Sequence, residues 1–150
     1  MPKNKIQIVW FKRDLRITDH RPIFEASLNS IPTLPIYIVE TDYWKQPFAS
    51  KRHWCFIHDS LKDLRKDLKN IGQSLIVRSG SVKQIFEELS HRFNIISILS
   101  HEETGNQWTY DRDKSVKYWC LRNNILLTEF PSNEIVRRLK NRSEWSKIRN

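Results

Sequence analysis

Two short stretches hold most of the side chains with chemistry to offer. Trp10-Phe11-Lys12-Arg13-Asp14-Leu15-Arg16 gathers three cations around one carboxylate. Such a loop could bind an anion or an aromatic ring, with Arg16 and Asp14 fixing it as a charge-assisted pair; it could equally be an ordinary charged turn. His101-Glu102-Glu103-Thr104-Gly105-Asn106-Gln107-Trp108 gathers two carboxylates, an amide and an imidazole beside an indole. Its carboxylates could take the ring N–H groups of a heteroaromatic ligand while the indole stacks. Alternatively, Asn106 or Thr104 caps the helix that follows and the glutamates favour its positive end. Spacing alone leaves both choices open.

Other chemistries lack their parts. Ser60, Ser90 and Ser100 have no Gly-x-Ser-x-Gly setting. One histidine beside two glutamates lacks a nucleophile and a third orienting group, so no catalytic set is expected. The five histidines show no His-x-x-x-His spacing, and Cys55 and Cys120 form no Cys-x-x-Cys, so no metal site is expected either. The three glycines, Gly72, Gly80 and Gly105, are too scattered for a dinucleotide fingerprint or a Walker loop.

The chain has 150 residues with 26 Lys plus Arg against 17 Asp plus Glu, a formal charge of +9. That length suits one domain with a substantial core, and six tryptophans with so little glycine argue against disorder. The opening apolar run is too short for a signal sequence or a membrane span, so a cytoplasmic protein without membrane contact is expected. Residues 133–150 hold six cations against two carboxylates, a tail suited to solvent or an acidic partner.

Apolar runs alternate with amphipathic stretches and must position the two loops. Strands are expected at Ile6–Phe11, Leu34–Val39, Ser74–Arg78, Ile95–Leu99 and Ile125–Glu129. Between them, helices are expected from about Pro22 to Asn29, over the stripe Trp54, Ile57, Leu61, Leu64, Leu68 and Ile71, over Val82–Phe93, and over Trp108–Asn123. Asp19–Pro22 offers a helix start, Gly72 a helix stop, and Ser81-x-x-Gln84 a capping box. This alternation predicts an α/β fold, a doubly wound, five-stranded parallel sheet with helices on both faces, expected in the common order 3-2-1-4-5. Ligands of such sheets bind beyond the carboxyl ends of the strands where the order reverses, which selects the loops after strands one and four. Trp10, Trp54 and Trp119 are expected in the core, while Trp44 and Trp108 could line a pocket.

The run Val9–His20, with Trp10-Phe11-Lys12-Arg13-Asp14-Leu15-Arg16 at its centre, closely resembles the opening of the DNA photolyase/cryptochrome family. Phe48–His53, His101–Asn106, Trp108–Asp113 and Ile135–Leu139 resemble later family segments at matching offsets. The resemblance implies a photolyase-type N-terminal α/β domain over residues 1–131 and, over 132–150, the basic start of a linker to a helical FAD-binding domain that is not in this chain. It implies a light-harvesting role: an antenna chromophore, a folate or a deazaflavin or flavin, that passes excitation to FAD in the parent protein. It further implies damaged DNA as a partner of that parent, a lyase acting on pyrimidine dimers, with no catalytic residue here. Carried over by position, Lys12, Arg13, Asp14, Leu15 and Arg16 match the first-loop motif, and Arg52 the basic start of the second helix. Glu102, Glu103 and Asn106 fall in the loop lining the antenna site, Asn106 standing where several members place an acid. The alternatives are a stand-alone nucleotide-binding module of the same fold, a photosensory cryptochrome fragment without repair activity, and an interaction domain docking through its basic tail.

Overall fold

A computed structural model describes residues 1–132; the basic segment 133–150 and the linker expected there lie outside the described residues. The elements run β1 (Lys5–Phe11), α1 (Arg21–Ser27), β2 (Thr33–Val39), α2 (Thr41–Trp44), α3 (Lys51–Asn70), β3 (Ile76–Ser79), α4 (Val82–Arg92), β4 (Asn94–His101), α5 (Gln107–Arg122) and β5 (Leu126–Phe130). All four strand pairings are parallel, in the order β3-β2-β1-β4-β5. The doubly wound sheet is as the alternation predicts. No helix among the described residues is long and apolar enough to cross a membrane.

Side-chain alternation along β1 divides the core. Ile6, Ile8 and Trp10 face α4 and α5, where Ile85, Phe86, Val116 and Trp119 join them. Val9 and Phe11 face α1 and α3, meeting Ala26, Ile57, Leu61, Leu64 and Leu68. Burial on both faces is why β1 reads as an almost continuous apolar run. Four of the six stripe residues of α3 are buried; Trp54 is half-buried and Ile71, at the C-cap, is exposed. Gly72 adopts φ +81°, and the bonds from its own N–H to Lys69 and from the Gln73 N–H to Leu68 close the helix end.

The expected helix start at Asp19–Pro22 forms with His20 as its cap: His20 Nδ1 accepts from the Ile23 amide at 3.3 Å, and Asp19 before it sits at φ +49°. Other local expectations are corrected. Ser81 occupies the N-cap of α4 without a side-chain cap bond, so the capping box does not form. β4 runs on to His101 and shortens the fourth loop, while α2 is an additional helix of four residues. Pro35 is buried in β2, yet β3 pairs with that strand only from Ile36 onward, so the proline lies at the end of that ladder.

Candidate functional site

The carboxyl ends of β1 and β4 are neighbours, and their loops are tied together. Asp14 is the tie. Its Oδ1 accepts from the Lys12 amide at 2.8 Å, and its Oδ2 meets His20 Nε2 at 2.5 Å and His101 Nδ1 at 2.6 Å. Burial alone would raise the Asp14 pKa, but the bonds from His101, His20 and the Lys12 amide hold it far below the usual carboxylate range. Asp14, His20 and His101 also form a group of metal-ligand type. The N···O distances are those of hydrogen bonds, however, and His20 Nδ1 already accepts a backbone N–H. That fixes its proton on Nε2, where a metal would need a lone pair. The cluster is a clamp between two loops. The expected Asp14–Arg16 pair does not form: exposed Arg16 donates to the carbonyls of Thr18 and Asp19 in its own loop.

Beside the clamp, over the ends of β1 and β2, lies a cleft lined by aromatic and charged groups. Tyr43 and Trp44 of α2 and His53 of α3 form one wall, with Trp44 5.2 Å from both His53 and Trp54 and Tyr43 5.4 Å from Trp108. Trp10, Phe11, Lys12, Tyr37, Glu40, Glu103 and Arg112 close it. It encloses about 50 Å³ of space wide enough for water.

A network of buried charges makes the cleft floor. Lys12 Nζ lies 2.6 Å from Asp113 Oδ2, donates to the His101 carbonyl at 2.9 Å, and stands 4.3 Å from the centre of the Trp10 ring. Arg112 lies over the same ring at 5.1 Å and reaches Glu40 at 2.5 Å, Glu103 at 2.8 Å and Asp113 at 2.9 Å. Trp10 therefore faces two cations whose charge its π-electrons attract. Burial pushes the Glu40 carboxyl up to about 7; Arg112 opposes this, while Asp113 and Glu103 add to it. For Arg112 burial works downward, but Glu40, Asp113 and Glu103 together hold its pKa above the ordinary value. A Cβ on Gly105 would lie 2.7 Å from Glu103, 2.8 Å from Arg13 and 2.8 Å from Thr109, so these side-chain ends would have to shift to admit one.

The expected site residues thus divide. Lys12, Arg13 and Glu103 line the cleft, with Arg13 Nε 3.7 Å from Glu103. Asp14 belongs to the clamp. Leu15 packs into the core under α1 and α3, and Arg52 is exposed beside cleft-lining His53. Glu102 lines a second hollow, between the loops, with about 110 Å³ of water-sized space. Asn106 is the N-cap of α5, its Oδ1 accepting from the Thr109 amide at 3.1 Å. Of the two expectations for Asn106, helix capping is the one this bond fulfils. Trp44 lines the cleft as anticipated. Tyr37, Glu40, Tyr43, His53 and Arg112 were not anticipated, because the strand-order argument selected only the loops after β1 and β4. A signal was present in Glu40-Thr41-Asp42-Tyr43-Trp44, polar and aromatic groups directly after a buried strand.

A family model described as DNA photolyase matches residues 7–144. The chain is similar to a chloroplastic/mitochondrial cryptochrome DASH of Arabidopsis thaliana, with 30% identity over 108 residues, 68% of this chain and 19% of that protein. Among solved structures, a Synechocystis sp. cryptochrome superposes with a TM-score of 0.80 at 22% identity, covering 86% of this chain and 28% of the other. An archaeal photolyase from Sulfolobus tokodaii, solved with two FAD molecules and said to imply a novel light-harvesting cofactor, gives 0.80 at 20% identity over 95% and 34%. At those identities the structures establish the fold. The chain spans about a fifth of the curated relative's length.

Proposed function

The chain belongs to the DNA photolyase family, and we propose that it serves there as the light-harvesting part, holding an antenna chromophore in the cleft over β1 and β2. The observation that carries this reading is the convergence of Tyr43, Trp44 and His53 with Lys12, Glu40, Glu103 and Arg112 at the carboxyl ends of two adjacent strands. The donor set fits a planar heteroaromatic ring, folate, deazaflavin or flavin: aromatic walls stack on its face, carboxyl groups accept from its ring N–H groups, and cations donate to its carbonyls. The cleft has room only for water as packed, so a ring enters by displacing side chains. When bound, such a group absorbs near-ultraviolet or blue light and passes the excitation on.

What receives the excitation is proposed from the family alone: FAD in a helical domain of a longer parent, which acts on pyrimidine dimers in damaged DNA. The test is a titration of the chain with methenyltetrahydrofolate, FMN, FAD and a deazaflavin, followed by absorption and by quenching of tryptophan emission. Saturable binding of at least one, weakened in Tyr43→Ala and Trp44→Ala by about 0.5–1.5 kcal/mol per lost ring contact, supports the reading. Binding unaffected by both substitutions, or no binding at all, overturns it.

A further inference from the structure

The cleft floor is out of charge balance. Two cations, buried Lys12 and largely buried Arg112, meet three carboxyl groups, buried Glu103 and Asp113 and largely buried Glu40. Counting the more exposed Arg13 and Glu129, which reach Glu103 and Lys12 at 3.7 and 3.9 Å, adds one charge of each sign and leaves the excess in place. The three carboxyl groups are not equally served. Asp113 has Lys12 on one oxygen and Arg112 on the other, and Glu103 has Arg112, Arg13 and the Gly105 amide. Among the described residues, Arg112 is the one donor to the Glu40 side chain. An unmatched charge on a side chain only 12% exposed is expensive to maintain, and the group with fewest donors sheds it by binding a proton.

We infer that Glu40 is the proton-holding carboxyl of this cluster, and that the cleft therefore takes a chromophore in its neutral, N–H-donating form and turns away an anionic one. This rests on the chromophore reading above and adds its ligand's charge state. The remaining groups around Glu40 do not restore the balance. Tyr37 of β2 is pushed toward its neutral form by burial, with Glu40 and Tyr43 adding to this. His53 of α3 stands across the cleft. Asp42, Asp111 and Lys83 line an outer hollow on the solvent side of Glu40, where they are exposed and screened. The position of Glu40 near neutrality, set mainly by burial, agrees with the inference. A neutral ring donating an N–H to the carbonyl oxygen of protonated Glu40 leaves the cluster's charge in balance, and the proton stays where it is. An anionic ring adds back the excess negative charge that the Glu40 proton had removed.

Two measurements test this with the full chain. Without ligand, melting temperature is followed from about pH 5 to about pH 8 for the chain and for Glu40→Gln, an isostere of the protonated side chain. A carboxyl raised by folding binds its proton more tightly in the folded state, so its stabilisation falls as pH rises from its ordinary 4.5 through about 7. The parent chain loses melting temperature over that window relative to Glu40→Gln; parallel profiles overturn the proton assignment. With 8-hydroxy-5-deazariboflavin as probe, the spectrum reports whether its hydroxyl is neutral or ionised. The inference predicts an ionisation midpoint about one pH unit or more higher in the complex than in solution, tenfold against the anion, and a return toward the free value in Glu40→Gln. An unshifted or lowered midpoint overturns the ligand half. Failure of the probe and of riboflavin to bind overturns the chromophore reading and that half with it, while the melting profiles still decide whether Glu40 holds the proton.

Discussion

The clamp and the cleft are built from the same short run of sequence and behave as opposites. At the clamp, one carboxylate is shared by two imidazoles and an amide, donors outnumber acceptors, and Asp14 is held ionised far below its ordinary range. At the cleft, carboxyl groups outnumber buried cations and one of them is pushed toward its protonated form. Burial raises both carboxyls, so it does not by itself account for their opposite directions. The number of donors aimed at each carboxyl does. The clamp therefore acts as permanent structure, and the cleft keeps a group that can change state near neutral pH.

Breaking the clamp should give the largest effect. Asp14→Ala leaves two imidazoles and a backbone N–H without their acceptor, an expected loss of about 3–5 kcal/mol in denaturant unfolding; a loss under about 1 kcal/mol would make the clamp incidental. Because the Asp14 carboxyl is depressed by folding, its contribution is present above its ordinary range and lost only as pH falls well below it. Cleft and clamp should therefore lose stability at opposite ends of the pH scale. Leu64→Ala, fully buried under the sheet, should cost about 2–5 kcal/mol as a core cavity and leave the charges of both regions unaltered. Tyr43→Ala should change unfolding much less than ligand binding, since its ring is half-exposed at the cleft wall. Smallest of all, Arg16→Ala and Arg52→Ala should fall within about 0.5 kcal/mol in stability. A large loss of chromophore affinity in Arg52→Ala would move the site toward the outer surface of α3.

The sequence made some of this legible and concealed the rest for physical reasons. The succession of strands and helices and the α3 stripe follow from periodicity, which a buried face imposes on the residues themselves: Ile57, Leu61, Leu64 and Leu68 had to lie on one side. The strand order is the common one for such sheets. Lys12, Arg13 and Glu103 were reachable because strand-end loops of a parallel sheet converge. The role of Asp14 was not. Its decisive partner His101 lies 87 residues away, and a nearby cation, Arg16, offered a plausible pair that the loop geometry refuses. The sequence around Asn106 suits both a ligand contact and a helix cap, and the bond from the Thr109 amide shows the capping role. Arg112 sits in a helix whose charged residues look solvated in sequence; the aromatic ring beneath it and three carboxyl groups around it appear only in three dimensions.

The account turns on where the chromophore lies, and one titration addresses that directly: binding of FMN or methenyltetrahydrofolate to the chain, to Trp44→Ala and to Glu102→Ala, read by absorption of the bound ring. The account predicts weaker binding in Trp44→Ala and unchanged binding in Glu102→Ala, because Trp44 lines the cleft and Glu102 the hollow between the loops. The reverse pattern, with Glu102→Ala weakened and Trp44→Ala unaffected, would contradict it and place the ligand between the two loops.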